Sequence, residues 1–188
     1  MSAECGKNIR LSRIIKKSTG KSVSVAFDHG LDDGPMLGNI HPRDTMEKII
    51  EGGADGVLIS PGTAKVCSDL LCDDSAPSVI LRLDWTNTFR ATEELNYEEG
   101  RNILISDVES ALALGADAVL TFMFIGYESA EVEAREIAKN AEVCRAANRL
   151  GIPHIMEPMA RGNAKRTAGR EMDPKLIALH TRMAAEIG

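Results

Sequence analysis

Glu51-Gly52-Gly53-Ala54-Asp55 runs straight into Gly56-Val57-Leu58-Ile59-Ser60, and the same device recurs twice. Leu114-Gly115-Ala116-Asp117 leads into Ala118-Val119-Leu120-Thr121-Phe122, and Leu150-Gly151 into Ile152-Pro153-His154-Ile155-Met156. Each time a helical stretch closes on Gly and an apolar, strand-like run follows. Gly at a helix end supplies the left-handed residue that stops the helix and turns the chain. Repeated helix–Gly–strand units predict a parallel sheet covered by helices. A fourth helix closes on Ala184-Ala185-Glu186-Ile187-Gly188, and the repeat predicts another strand after it.

Working outward from these junctions, the sequence divides into about five and a half βα units. A short helix is expected over Ile9 to Ser18, then strands at Val23–Phe27, Val57–Ser60, Val79–Asp84, Val119–Phe124 and His154–Glu157. Gly34, Pro35, Gly38 and Pro42 mark a loop after the first strand. Helices are expected over Asp44–Glu51, from Pro61 to Leu71, and across Asp107–Leu114, Ala130–Arg149 and Pro174–Ile187. A polar segment fills the space between Asp84 and about Arg101. Strand starts recur at roughly thirty residues, the pitch of a (β/α)₈ TIM barrel, which needs about 250 residues for all eight units. The fold class is therefore α/β, an incomplete (β/α)₈ TIM-barrel type. A doubly wound open sheet shares the periodicity. No Gly-x-Gly-x-x-Gly turn follows the first strand, which counts against a dinucleotide-binding version.

Composition narrows the function classes. Of 188 residues, 44% are hydrophobic and 27% charged, and the net charge is −6. An acidic balance gives no basic surface for nucleic acid. No run approaches the roughly 18 apolar residues of a membrane span, and Met1-Ser2-Ala3-Glu4-Cys5 carries no apolar signal region. Cys5, Cys67, Cys72 and Cys144 lack zinc-type spacing and read as reduced thiols of a cytoplasmic protein.

In parallel α/β folds, functional groups collect where the strands end. Here those ends read Asp28-His29, Ser60, Asp84-Trp85-Thr86, Phe124 and Glu157. Residues two apart share a strand face, so Ser24, Ala26 and Asp28 lie together, opposite Val25 and Phe27. Arg82 and Asp84 likewise oppose Leu81 and Leu83. In a barrel the apolar face meets the helices, which turns Asp28, Arg82 and Asp84 inward. Against this stand plainer roles: Asp28 as a loop cap, His29 as a structural histidine, Arg82 with Asp84 as an internal ion pair, and Trp85 as packing.

Gly6-Lys7-Asn8-Ile9-Arg10-Leu11 with Val25-Ala26-Phe27-Asp28-His29-Gly30 resembles the archaeal-type class I fructose-bisphosphate aldolase family. Its relatives include amino-dideoxyheptulosonate synthases, tagatose-bisphosphate aldolases and an autoinducer-processing thiolase. Leu150-Gly151-Ile152-Pro153 and Glu157-Pro158-Met159-Ala160-Arg161-Gly162 are similar to the fifth-strand motif of that group. The resemblance implies that residues 1–188 are the amino-terminal part of a single aldolase-type TIM-barrel domain. It also implies a cytoplasmic homo-oligomer of carbohydrate metabolism, acting in glycolysis-type chemistry. Such an enzyme cleaves a phosphorylated ketose such as fructose 1,6-bisphosphate through a lysine Schiff base, with no cofactor and no metal.

By the same resemblance, Asp28 matches the first-strand aspartate that assists proton transfer. Met159 takes the place of the fifth-strand tyrosine of many relatives, leaving Glu157 as the nearest proton carrier. His29, Asp84 and Arg161 fall in substrate-binding positions. The Schiff-base lysine belongs to a sixth strand, past Gly188. Among the lysines present, Lys165, in the loop after the fifth strand, is the one candidate stand-in. Two other readings remain: a non-catalytic aldolase homologue that assembles with another chain, and a metal-assisted enzyme using Asp28, His29, Asp84 and Glu157.

Overall fold

The helix–Gly–strand junctions build what they predict. The computed structural model describes residues 3–89, 100–160, 170 and 172–188. Its centre is a parallel sheet of β1 (Ser24–Ala26), β2 (Gly56–Ile59), β3 (Ser78–Arg82), β6 (Ala118–Phe124) and β7 (His154–Met159), in that order. Between β3 and β6 the chain makes an antiparallel ribbon, β4 (Asp84–Thr86) with β5 (Asn102–Leu104). The helices are α1 (Ala3–Ile14), α2 (Pro42–Glu51), α3 (Pro61–Val66), α4 (Val108–Ala113), α5 (Ala130–Leu150) and α6 (Pro174–Ile187). Among the described residues no helix is long and apolar enough to cross a membrane, and the four cysteines are free.

Local chemistry sets the turns. Ser60 ends β2 and at once caps α3, its hydroxyl accepting from the Thr63 N–H with Pro61 in the first turn. Asp107, Ser129 and Asp173 cap α4, α5 and α6 in the same way. At the opposite end of the sheet, Gly151 closes α5 at φ 69°. A β-carbon there would also strike the carbonyl of Ala3, so the residue must be Gly both to turn the chain and to admit α1.

The two faces of the sheet carry separate cores. Val57, Ile59, Val79, Leu81 and Val119 face the helices and pack with Met46, Ile49, Val108, Val143 and Ala147. Leu58, Ile80, Ala118 and Leu120 line the concave face, closed at its base by Ile14 of α1. Arg13 pairs with Asp117 at 2.9 Å and Lys16 with Asp55 at 2.5 Å, pinning α1 across the strand starts.

Several expectations need correction. The first helix starts at Ala3 and stops at Ile14, earlier than Ile9–Ser18, because its task is to bring Ile14 under the sheet. The third strand stops at Arg82 rather than Asp84. Leu83 still donates to Leu120, but Asp84 pairs with Leu104 in the ribbon, a pairing that no local pattern announces. The fifth strand runs through Pro158 to Met159, which an edge strand tolerates because one row of its N–H groups has no ladder partner. Met156 lies opposite Thr121, on the helix side, while Ile155 and Glu157 share the concave side with Leu120 and Phe122. With Ile14 beneath it, Ile80 on the concave face is only 3% exposed.

Ile14 is thus the plug of the concave core. Ile14→Ala is expected to destabilise the fold by about 2–5 kcal/mol, the range for emptying a buried aliphatic site. Urea unfolding measures this, and an unchanged midpoint would show that α1 does not pack the base.

Candidate functional site

At the open end of the concave face, β1 delivers Asp28 and β3 delivers Arg82. Both are buried, at 6% and 2% exposed. The Arg82 Nε donates to Asp28 Oδ2 at 2.7 Å, and its Nη2 donates to Glu157 Oε2 at 3.0 Å. Its guanidinium carbon lies 3.7 Å from the centre of the Phe122 ring, a cation–π contact on the fourth side. Burial works against the Arg82 charge, but the carboxylates of Asp28 and Asp84 outweigh it, so its pKa lies above the usual arginine value. These groups wall a cavity of about 250 Å³, completed by His29, Asp32, Asp33 and Phe89.

The sequence-derived candidates divide as follows. Asp28, His29 and Glu157 line this one cavity. Arg161, like Lys165, lies outside the described residues. Asp84 is fully buried behind the wall, with its Oδ1 3.7 Å from Arg82 Nη1. The break at Leu83 turns its Oδ2 toward α5 instead, where it accepts from Lys139 Nζ at 2.8 Å, the Phe122 N–H at 2.9 Å and Asn102 at 3.1 Å. Lys139 also donates to Glu136 at 2.9 Å and to the Phe122 carbonyl at 3.0 Å. Burial raises the Glu136 carboxyl above its ordinary pKa, against the pull of Lys139. Asp84 is therefore part of a buried ionic network that supports Arg82 from behind, and it does not line the cavity.

Sequence reasoning missed Asp32, Lys139 and Phe122. A 3₁₀ turn, His29–Leu31, brings Asp32 back to the cavity one turn after Asp28. Its Oδ1 accepts from the Thr86 N–H at 3.2 Å. Burial pushes its carboxyl up to about 6, with the Thr86 N–H and Arg82 opposing. The spacing of four residues from Asp28 was the available signal, hidden in a stretch rich in Gly and Pro. Among the described residues, no three His, Cys, Asp or Glu side chains are grouped so as to hold a metal ion.

Comparison with known proteins gives this geometry a family. The model of the DeoC/LacD family aldolases matches residues 22–188, and the chain belongs to that family. An uncharacterized aldolase from Saccharolobus solfataricus is 33% identical over 97% of this chain and 65% of its own length. A 2-amino-3,7-dideoxy-D-threo-hept-6-ulosonate synthase from Halobacterium salinarum is 28% identical over 98% of this chain and 63% of its own length. The chain thus spans somewhat less than two thirds of these relatives. Among solved structures, a Schiff-base-forming fructose-1,6-bisphosphate aldolase superposes with a TM-score of 0.75 at 28% identity, over 96% of this chain and 67% of that one. An archaeal fructose 1,6-bisphosphate aldolase gives 0.75 at 26% identity, over 96% and 66%. The fold is that of the aldolase TIM barrel, present here as a curled, incomplete barrel.

The Arg82 cluster has a direct energetic consequence. Arg82→Met leaves Asp28 buried without its cation, while Asp84 keeps Lys139, and is expected to cost about 3–5 kcal/mol. Adding Asp28→Asn to it is expected to recover part of that loss. A loss below about 1 kcal/mol for Arg82→Met in denaturant titration would show that the cluster is solvated, and not the closed ionic core described.

Proposed function

We propose that these residues form the amino-terminal part, about five and a half units, of a single barrel domain of a class I, Schiff-base aldolase. It would cleave a phosphorylated ketose such as fructose 1,6-bisphosphate. The observation that carries the reading is the convergence of Asp28, Arg82 and Glu157 on one cavity at the strand ends, in a chain of the aldolase family. The two fructose-bisphosphate aldolases of similar fold support the substrate class. In this reading Asp28 and Glu157 move protons between the substrate oxygens and the solvent, and Arg82 fixes their positions. His29 and Arg161 contact the substrate, while Asp84 acts through Arg82. Cleavage of a carbon–carbon bond beside a Schiff base needs a base for the hydroxyl proton and a cationic nitrogen to receive the electron pair.

The nitrogen is the telling part. A Schiff-base lysine works when desolvation or a neighbouring cation lowers its pKa. None of the described lysines lines the cavity. Lys139 is the buried one, and it is committed to Asp84 and Glu136 on the helix side. The nucleophile therefore comes from outside the described residues.

Two measurements test the proposal. With dihydroxyacetone phosphate and borohydride, the 188-residue chain is expected to show no covalent adduct by mass spectrometry. The protein extended to the length of its relatives should trap on a lysine past Gly188. In that longer protein, Asp28→Asn should lower turnover about 10²-fold or more, the usual range for a positioned acid or base. An adduct on Lys165 in the short chain would overturn the assignment of the nucleophile. A longer protein that never traps would overturn the Schiff-base mechanism.

The homo-oligomer is part of the same proposal. β1 and β7 are the two edges of the sheet, and each offers one row of backbone donors and acceptors to another chain. Size-exclusion chromatography with light scattering is expected to find the 188-residue chain associated. A monodisperse monomer of its 20.3 kDa mass, melting cooperatively, would refute this.

A further inference from the structure

We infer that Lys139 is a positioning residue of this cavity: by holding Asp84 toward α5, it keeps the guanidinium of Arg82 on Asp28 and Glu157. The turnover it governs rests on the aldolase reading; its hold on the place of Arg82 does not.

Each nitrogen of the guanidinium has a carboxylate of its own, but the third contact stays open. Nε donates to Asp28 at 2.7 Å and Nη2 to Glu157 at 3.0 Å. Nη1 stops 3.7 Å from Asp84 Oδ1, beyond hydrogen-bond length. Both of those atoms are buried, and neither has a hydrogen-bond partner among the described residues. A buried donor and a buried acceptor of opposite charge left unbonded side by side are costly. Such a gap lasts where other bonds hold the two groups apart.

Those bonds lie on both sides of the gap. On the cavity side, Asp28 and Glu157 hold Arg82. On the helix side, the other oxygen of Asp84, Oδ2, accepts from Lys139 Nζ at 2.8 Å, the Phe122 N–H at 2.9 Å and Asn102 at 3.1 Å. Of these three donors Lys139 alone is charged. Its side chain, only 9% exposed, gives its other N–H groups to Glu136 at 2.9 Å and to the Phe122 carbonyl at 3.0 Å. Three donors from one nitrogen reach three separate acceptors, a task for a compact ammonium rather than a planar fork. Lys139 therefore fixes the anion behind Arg82 and also the backbone of Phe122, whose ring lies 3.7 Å from the guanidinium carbon. Without that ammonium, Arg82 is the one cation paired with Asp84 among the described residues. The open contact then closes, and Arg82 leaves Glu157, whose side chain is 41% exposed and takes water in its place.

The test uses Lys139→Met in the protein extended to the length of its relatives. A crystal structure of the variant is expected to show Arg82 Nη1 within about 3 Å of Asp84 Oδ1, and Nη2 drawn beyond about 3.5 Å from Glu157. Assayed well below its melting temperature, the variant should lose about tenfold or more in kcat, the scale of cost for a misplaced reacting group. KM should stay within about threefold, since the substrate contacts are intact. Lys139→Met/Glu136→Gln removes one buried charge of each sign and keeps an amide oxygen for the Phe124 N–H that Glu136 now accepts. It is expected to fold where the single variant does not, and to show the same shift of Arg82. A network that serves stability alone would lower the melting temperature and move neither the contacts nor kcat. An Arg82 still on Glu157 with the gap to Asp84 unclosed, or an unchanged kcat in a folded variant, would overturn the inference. So would the failure of both variants to fold, which would make Lys139 a residue of stability and not of position. Failure of borohydride trapping in the unmutated longer protein would overturn the aldolase reading alone, because the shift of Arg82 is read without turnover.

Discussion

The buried guanidinium of Arg82 is the constraint on which the rest depends. Arg82 ends the central strand of a five-stranded sheet, yet it reaches Asp28 on one edge strand and Glu157 on the other. In a flat sheet each of those strands would lie about 10 Å away, two strand spacings from β3. One side chain can hold both only if the sheet curls with Arg82 on its concave face. A buried cation must also be matched by carboxylates to offset its desolvation. Asp28, Glu157 and Asp84 supply that match, so curvature and electrostatics satisfy each other. The same contact separates the barrel from the doubly wound alternative, whose periodicity is equal but whose sheet does not curl this far.

The layers below the site follow from that curvature. Curling brings Leu58, Ile80 and Leu120 together, and Ile14 closes the base they leave. Stability and chemistry therefore occupy different levels of one concavity. The lower level is apolar and fully packed; the upper holds the ionisable groups. On the helix side the Asp84–Lys139–Glu136 network ties β4 and β6 to α5 directly behind the cavity wall. Its members are satisfied mainly by one another and by backbone groups of β6, which holds Phe122 beneath Arg82.

Much of this was legible in the sequence, for local reasons. Helix–Gly–strand junctions, strand ends and two-residue alternation placed all five parallel strands and put Asp28 and Arg82 on one face. The last helix, Pro174–Ile187, was read to the residue because Asp173 and Pro174 announce its start. What escaped reading depended on long-range contacts. The β4–β5 ribbon is held by pairing across a gap of many residues, and nothing at Leu83 announces that the strand changes partners. That unseen break carried Asp84 away from the cavity to Lys139. Ile14 and Gly151 were likewise readable as a helix residue and a helix stop, but not as the plug and the doorway for α1.

Asp32 shows the limit most clearly. Its stretch was read as loop because Gly and Pro dominate it, and a loop aspartate normally means a solvated turn. The structure buries it: a 3₁₀ turn directly after Asp28 carries it to the cavity wall, where the Thr86 N–H of the ribbon donates to it. Both causes, the tight turn and the ribbon, come from features the sequence expressed weakly. A carboxyl so placed opposes folding once it ionises: the folded form holds a proton that the unfolded chain releases near the ordinary value of 3.8. Its contribution to stability is thus present below about 4 and lost as pH rises through about 6. A group that weakens the fold at neutral pH, set in the wall of the cavity beside Asp28, marks that wall as a place where packing alone does not account for the residues present.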